Sequence, residues 1–273
     1  MTLVITLMTP DCVVQAADRR LTTPTGSLYD DDRNKVVAYH DRGALSYTGL
    51  AHVDRSQTLA TDKWLVQTLG PPMSLPIPSL ADAATNQLRN HRLTSNALGF
   101  ALGAFSGPRR ALVPHLGFIA NFDPFAARPT VSSPFRYYGR HLRPEEPFLF
   151  SEIGCRMTPD ESRSLVKDLI PMVANGASGN SLMGRLMHQI RLVASRDPRV
   201  GRGVLACYVP RPVPGTSSGT LFEYLPADSG QCTDYGPHWV TPSAAFTDFS
   251  FTPINRIPTV ENRRRSRGRS RER

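Results

Sequence analysis

The hydrophobic positions in the N-terminal part of the chain are spaced as in β-strands. Residues 2–8 are apolar and rich in β-branched side chains, a Pro-Asp turn signal follows, and residues 12–17 form a second apolar run. Two such runs with a short gap between them predict a β-hairpin. The runs at 35–39 and 44–48, which flank an Asp-Arg-Gly turn, predict a second hairpin.

Helical patterns then replace the strands. Residues 51–69 contain no Pro or Gly and carry apolar side chains that could share one helix face, so they predict a first helix. After a proline-rich linker, Ser79 is expected to cap a second helix that runs to about His91.

Strands and a second pair of helices complete the pattern. Strands are expected at 97–105, 111–121, 135–140, 148–153, 203–209 and 220–225. Thr158 and Glu161 form a capping box with Pro159 at the first helical position, so a helix should begin there. A stripe with 3.6-residue spacing predicts a further helix with a core-facing side: Leu182, Met183, Leu186, Met187, Ile190, Val193 and Ala194.

The order of elements favours an α+β fold. Strands, two helices, strands, two helices and strands suit two antiparallel sheets packed face to face, with a helix pair on each outer face. We therefore expect a four-layer αββα sandwich over residues 1–225. Residues 226–262 form a C-terminal extension with several aromatics, which we expect to dock in an unknown role, and residues 263–273 form a disordered Arg-rich tail.

Charge and composition narrow the possible classes of function. The net charge of the chain is +9, of which residues 263–273 supply +6 through seven arginines and one glutamate, so the rest is close to neutral. There is no run of ~18 apolar residues and no basic N-terminal signal region, which predicts a cytoplasmic protein without a membrane span. None of the four cysteines lies at metal-ligand or CxxC spacing, so we expect neither a metal nor a cofactor.

Four residues of the N-terminal region together form a distinctive set: Thr2, Asp18, Lys35 and Gly49. They lie in the segments Thr-Leu-Val-Ile-Thr, Ala-Ala-Asp-Arg-Arg, Asn-Lys-Val and Tyr-Thr-Gly-Leu-Ala. These segments resemble the start of a proteasome β subunit or a bacterial relative, within the N-terminal nucleophile (Ntn) hydrolases. One extra residue before Lys35 brings both Lys35 and Gly49 to the spacing of that family.

The resemblance implies a threonine peptidase or amidohydrolase with Thr2 as nucleophile once Met1 is removed. A Thr hydroxyl is a weak nucleophile, and the free α-amine of the same residue, with a pKa of ~8, can act as its base. By the resemblance, Lys35 would favour the alkoxide, Asp18 would orient Lys35, and the Gly49 N–H would face the oxyanion. A peptide or protein substrate, an acyl-enzyme intermediate and a homo-oligomeric ring are implied in the same way.

The second half of the chain departs from the family pattern. Asp197 and Gly201 match a family segment that precedes a late strand, and Asp197 completes the expected catalytic set. Val200 and Cys155 stand where the family has serines, so two supporting hydroxyls are missing. A second hypothesis is therefore a catalytically inactive structural or interaction subunit with the same fold.

The arginine tail supports a third hypothesis. Residues 263–273 alternate Arg with Ser and Gly and carry no apolar side chain. Such a segment can bind nucleic acid or another polyanion through phosphate contacts that weaken steeply with salt. No aromatic residue interleaves the arginines, so base stacking is not indicated.

Overall fold

The structure is a computed structural model that describes residues 2–22, 27–39, 41–71, 73, 77–108, 110–126, 130–213, 219–227 and 238–240. The Arg-rich tail and the extension other than residues 226–227 and 238–240 lie outside the described residues. The expectations for those parts therefore stay predictions.

The described residues form four α-helices and thirteen strands, with a 3-10 turn at Ile77–Ser79. The helices are α1 (Thr61–Leu69), α2 (Leu80–Asn90), α3 (Pro159–Ala174) and α4 (Gly179–Arg196). The strands are β1 (Leu3–Met8), β2 (Cys12–Asp18), β3 (Leu21–Thr22), β4 (Leu28–Asp30), β5 (Val36–Tyr39), β6 (Gly43–Gly49), β7 (Leu98–Ser106), β8 (Val113–Phe122), β9 (Val131–His141), β10 (Leu149–Gly154), β11 (Val204–Pro210), β12 (Leu221–Leu225) and β13 (His238–Val240).

Two large sheets and one small one contain these strands. The five-stranded sheet has the order β10-β1-β2-β11-β12, the six-stranded sheet has the order β13-β5-β6-β7-β8-β9, and β3 pairs with β4. All pairs are antiparallel except β13 with β5, which is parallel. The prediction of a mixed fold with antiparallel sheets and four helices is confirmed. β13 belongs to the C-terminal extension, outside the sandwich expected over residues 1–225, and it adds one parallel pair at the edge of the six-stranded sheet.

The central strands are apolar on both faces because both faces are buried. Val4 of β1 and Val13 of β2 belong to a buried cluster with residues of the six-stranded sheet, such as Phe118. Their neighbours Leu3 and Val14 belong to a second cluster, formed with α3 and α4. A third cluster joins the six-stranded sheet to α1 and α2. Side chains alternate between the faces of a strand, so one strand can serve two clusters.

Two predicted helix starts have different outcomes. The Thr158 Oγ1 accepts the Glu161 N–H at 3.2 Å, and the Glu161 carboxylate accepts the Thr158 N–H at 2.6 Å, which confirms the capping box. Ser79 lies at the N-cap position of α2, but its side chain makes no capping hydrogen bond. Its helix-like backbone, with φ −83° and ψ −6°, differs from the extended conformation that a capping serine adopts.

The first predicted helix is shorter than its pattern suggests. Residues 51–60 form turns, and α1 begins only at Thr61. The Asp54 carboxylate accepts the backbone N–H of Thr58 at 3.0 Å and of Leu59 at 2.8 Å, and it also bonds their neighbour Ser56. Such local side-chain bonds compete with helical ones and hold the segment in a loop.

None of the helices in the described ranges combines the length and apolar character that a membrane span requires.

Candidate active site

Three of the five predicted site residues are in direct contact. Lys35 Nζ lies 2.7 Å from Thr2 Oγ1 and 3.3 Å from Asp18 Oδ2, and it also donates to the backbone carbonyl of Arg20. An ammonium carries three N–H groups, and these three acceptors match them one for one. The arrangement fits a charged Lys35 that donates one of its N–H groups to the Thr2 hydroxyl oxygen.

The strand order explains why these residues meet. Asp18 ends β2, which lies between β1 and β11. Thr2 precedes β1, so it lies at the same end of this sheet, and Lys35 precedes β5 in the six-stranded sheet. The two sheets each supply part of one site.

Backbone groups fix the Asp18 carboxylate. Its Oδ1 accepts the Leu3 N–H at 2.7 Å, and its Oδ2 accepts the N–H groups of Arg20 and Gly201, both at 3.1 Å. Asp18 and Lys35 are both fully buried. Burial raises the pKa of Asp18, while the charge of Lys35 and the N–H donors oppose that shift. Burial lowers the pKa of Lys35, and the charge of Asp18 opposes that shift in turn.

Gly49 ends β6 at the same end of the molecule. Its φ of +107° suits glycine, and the preceding side chain, Thr48, lies against Gly154. Gly154 has φ +92°, and a Cβ built on it would come within 1.9 Å of the Thr2 carbonyl oxygen and 2.6 Å of Thr48 Oγ1. The end of β10 can therefore approach Thr2 only with glycine at this position.

Asp197 is linked to Thr2 through Cys155. The Cys155 N–H donates to the Thr2 carbonyl at 2.7 Å, and Cys155 Sγ donates to Asp197 Oδ2 at 3.0 Å. Asp197 also accepts two bonds from the Arg199 guanidinium, at 2.9 and 2.7 Å, which hold the pKa of the Asp197 carboxyl below its usual value. Burial, with Asp197 adding to it, raises the pKa of the Cys155 thiol to about 12. Cys155 is therefore a neutral donor and not a thiolate nucleophile.

Some contributors to this site were not found from the sequence. The sequence gives no signal for the Arg20 carbonyl or the Leu3 N–H, because almost every residue carries these backbone groups. Gly154 could have been found, since a glycine directly after an apolar strand often marks a positive φ or a close backbone approach. Arg199 lies only two residues from Asp197, and this spacing is compatible with an ion pair.

Among the residues that the structure describes, no three or more His, Cys, Asp or Glu side chains are grouped so that they could hold a metal ion. Cys12 and Cys207 are buried in β2 and β11, within apolar runs.

No family model matches the chain, and no curated protein matches it. Among solved structures, the chain is similar to Anbu (ancestral beta-subunit) from Yersinia bercovieri, with a TM-score of 0.45 and 10% sequence identity, over 76% of this chain and 81% of that one.

Proposed function

We propose that this chain is a threonine hydrolase that cleaves peptide or other amide bonds, with Thr2 as its N-terminal nucleophile after removal of Met1. The observation that supports this most strongly is the 2.7 Å contact between Lys35 Nζ and Thr2 Oγ1 beside the buried Asp18 carboxylate. An ammonium at this distance stabilises an alkoxide more than it stabilises a hydroxyl, because the attraction grows with the negative charge.

The proposed reaction uses the hydroxyl and α-amine of Thr2, the backbone N–H of Gly49 and one water molecule. The free α-amine of Thr2 takes the hydroxyl proton while Oγ1 attacks the substrate carbonyl carbon. The Gly49 N–H donates to the resulting oxyanion, and the protonated α-amine then passes its proton to the leaving amine. Water, activated by the same α-amine, hydrolyses the ester that remains and restores Thr2.

We infer that the three buried clusters separate four layers, with α1 and α2 outside the six-stranded sheet and α3 and α4 outside the five-stranded sheet. This αββα sandwich would comprise residues 1–225, with the extension 226–262 docked on it through β13. We also propose that the protein assembles into a homo-oligomer that encloses its sites. Sedimentation of the purified chain tests the assembly.

The proposal is tested by the mature N-terminus and by covalent labelling. Intact-mass analysis should show loss of Met1, because a free α-amine is required. A peptide carrying an electrophilic warhead should then add one equivalent to the protein, and fragmentation should locate the adduct on Thr2.

Variants make the labelling test specific. Thr2→Ala and Lys35→Met should form no adduct, Thr2→Ser should retain labelling, and Thr94→Ala should label like the wild type because Thr94 is an exposed loop residue. Labelling that persists in Thr2→Ala, or that maps to another residue, would contradict the proposal.

Specific observations favour a second candidate, an inactive structural or interaction subunit with the same fold. Thr2 is only 2% exposed in the full chain, and Cys155 and Val200 supply no hydroxyl beside it. A mature protein that keeps Met1, or a wild type that forms no adduct with any warhead, would support this candidate.

A further inference from the structure

A buried polar network spans the interface between the two large sheets. Gln15 Nε2 donates to Thr6 Oγ1 at 2.9 Å and to the Ala101 carbonyl at 3.2 Å, while Ser46 Oγ donates to Gln15 Oε1 at 2.7 Å. All four residues are at most 1% exposed. Both the nitrogen and the oxygen of the Gln15 amide therefore have hydrogen-bond partners inside the protein.

The network joins one pair of strands to another. Thr6 of β1 and Gln15 of β2 are directly opposite each other in the five-stranded sheet. Ser46 of β6 and Ala101 of β7 are directly opposite each other in the six-stranded sheet. The Gln15 side chain is therefore a hydrogen-bonded link between the two sheets in an otherwise apolar cluster.

The candidate site depends on how these sheets are aligned. Thr2 directly precedes β1 and Asp18 ends β2 of the five-stranded sheet, whereas Lys35 precedes β5 of the six-stranded sheet. Ser46 lies opposite Val36, the residue after Lys35. A shift of one sheet over the other by 1 Å would change the distance between Lys35 Nζ and Thr2 Oγ1 by a similar amount.

Apolar packing alone resists such a shift weakly, because the hydrophobic effect is non-directional. Hydrogen bonds in a low-dielectric interior are strong and directional, and a buried polar group can specify one arrangement among several of similar stability. We propose that Gln15 is a positioning residue for the threonine hydrolase, which aligns the two sheets so that Lys35 meets Thr2. The inference rests on the proposed function of the site.

The test removes the network without leaving unpaired hydroxyls. In the triple variant Thr6→Val, Gln15→Met and Ser46→Ala, apolar side chains of similar size replace every polar side chain of the network, so the stability should stay close to that of the wild type. The rate of Thr2 labelling should fall at least tenfold, because misplacement by about 1 Å can cost about 100-fold in rate.

A second measurement does not depend on activity. The ¹³Cε signal of Lys35 reports its titration, and its midpoint should fall in the triple variant, because the Asp18 contact that raises the Lys35 pKa is loosened. Thr85→Val is the control: Thr85 links α2 to β9 within one side of the molecule, so its loss should lower stability but leave both readouts unchanged.

The outcomes separate this inference from the proposed function. If the wild type forms no Thr2 adduct, the proposed function fails, and the Lys35 titration still tests whether Gln15 aligns the sheets. An unchanged Lys35 midpoint in the triple variant overturns the inference, and so does a changed midpoint with an unchanged labelling rate. If the triple variant does not fold, Gln15→Met alone is compared with Thr85→Val at matched stability, by the same criteria.

Discussion

Lys35 and Asp18 are fully buried and lie 3.3 Å apart, so each is the main counter-charge of the other. Removing one partner of a buried pair leaves a buried charge without its counter-charge. We expect Lys35→Met to lower the free energy of unfolding by about 3–5 kcal/mol at pH 7, measured by urea denaturation. Lys63→Met, on the exposed side of α1, should change it little.

The pH dependence of this deficit gives a sharper test. Without Lys35, burial raises the Asp18 pKa with less opposition, so the variant takes up a proton as the pH falls. Proton uptake by the folded variant stabilises it relative to the wild type, and the deficit should narrow between pH 7 and pH 4. An equal deficit at both pH values would show that the lost stability comes from packing and not from charge.

Gly154 offers a second prediction for single residues. Gly154→Ala forces a side chain into φ +92° and against the Thr2 carbonyl. The backbone strain alone should cost about 1–3 kcal/mol, and the displaced Thr2 should label more slowly. Gly184→Ala is the matched control: a Cβ there meets nothing within 4 Å, and the change should stabilise α4 by about 0.5–1 kcal/mol. Similar Tm values for the two variants would contradict this account.

At this scale, sequence reasoning can name candidate residues where the proposed chemistry needs a particular side chain. Thr2, Asp18 and Lys35 could be named because few other residues supply a hydroxyl, a carboxylate and an ammonium. It could not predict that Cys155 bonds Thr2 through its backbone N–H and Asp197 through its thiol, since these contacts depend on where β10 and α4 end in space. It also gave no sign of the role of Gln15, because an isolated polar residue in an apolar strand has many ordinary explanations.

Two of the helix N-cap residues, Thr158 and Ser79, make a matched pair. Thr158 accepts the Glu161 N–H, whereas the Ser79 side chain caps nothing. Thr158→Ala should therefore lower the free energy of unfolding by about 1 kcal/mol. Ser79→Ala should change the same free energy by about a few tenths of a kcal/mol at most. Thermal and urea denaturation of the two variants check this, and equal losses would mean that the capping bond adds no stability.

The sequence defined most elements but not all of their ends. The stripe of α4 is visible because tertiary packing and helical periodicity agree there. They disagree at 51–60, where Asp54 bonds the backbone locally and stops the helix that the pattern permits. β13 could not be predicted from its three residues, since its partner β5 lies about two hundred positions earlier in the chain and such pairings leave no local pattern.

For the whole molecule, the docking of β13 connects the C-terminal extension to the strand that follows Lys35. His238 pairs with Val37, and Val240 is 2% exposed against the cluster around α1. His238 Nε2 lies 2.9 Å from the Oδ2 of Asp62, a fully buried carboxylate in the first turn of α1. This contact holds the extension to α1 through a side-chain interaction, in addition to the backbone pairing of β13 with β5.

The contact predicts a stability that depends on pH. Burial raises the pKa of Asp62, but the hydrogen bond and charge of His238 outweigh this and hold it below its ordinary value. A lowered carboxyl pKa gives stability that is present above the unfolded value of ~3.9 and is lost as the pH falls through the native value. His238→Ala should therefore lower the free energy of unfolding by about 1–3 kcal/mol at pH 7 and by less at pH 3, measured by urea denaturation at each pH.

Two further variants act as controls. His238→Gln keeps a hydrogen-bond donor and should recover part of the lost stability. His188→Ala lies on an exposed helix face and should leave the free energy of unfolding unchanged at both pH 7 and pH 3. A deficit that does not shrink on acidification would mean that β13 is held by its backbone pairing and by Val240, and not by the Asp62 carboxylate.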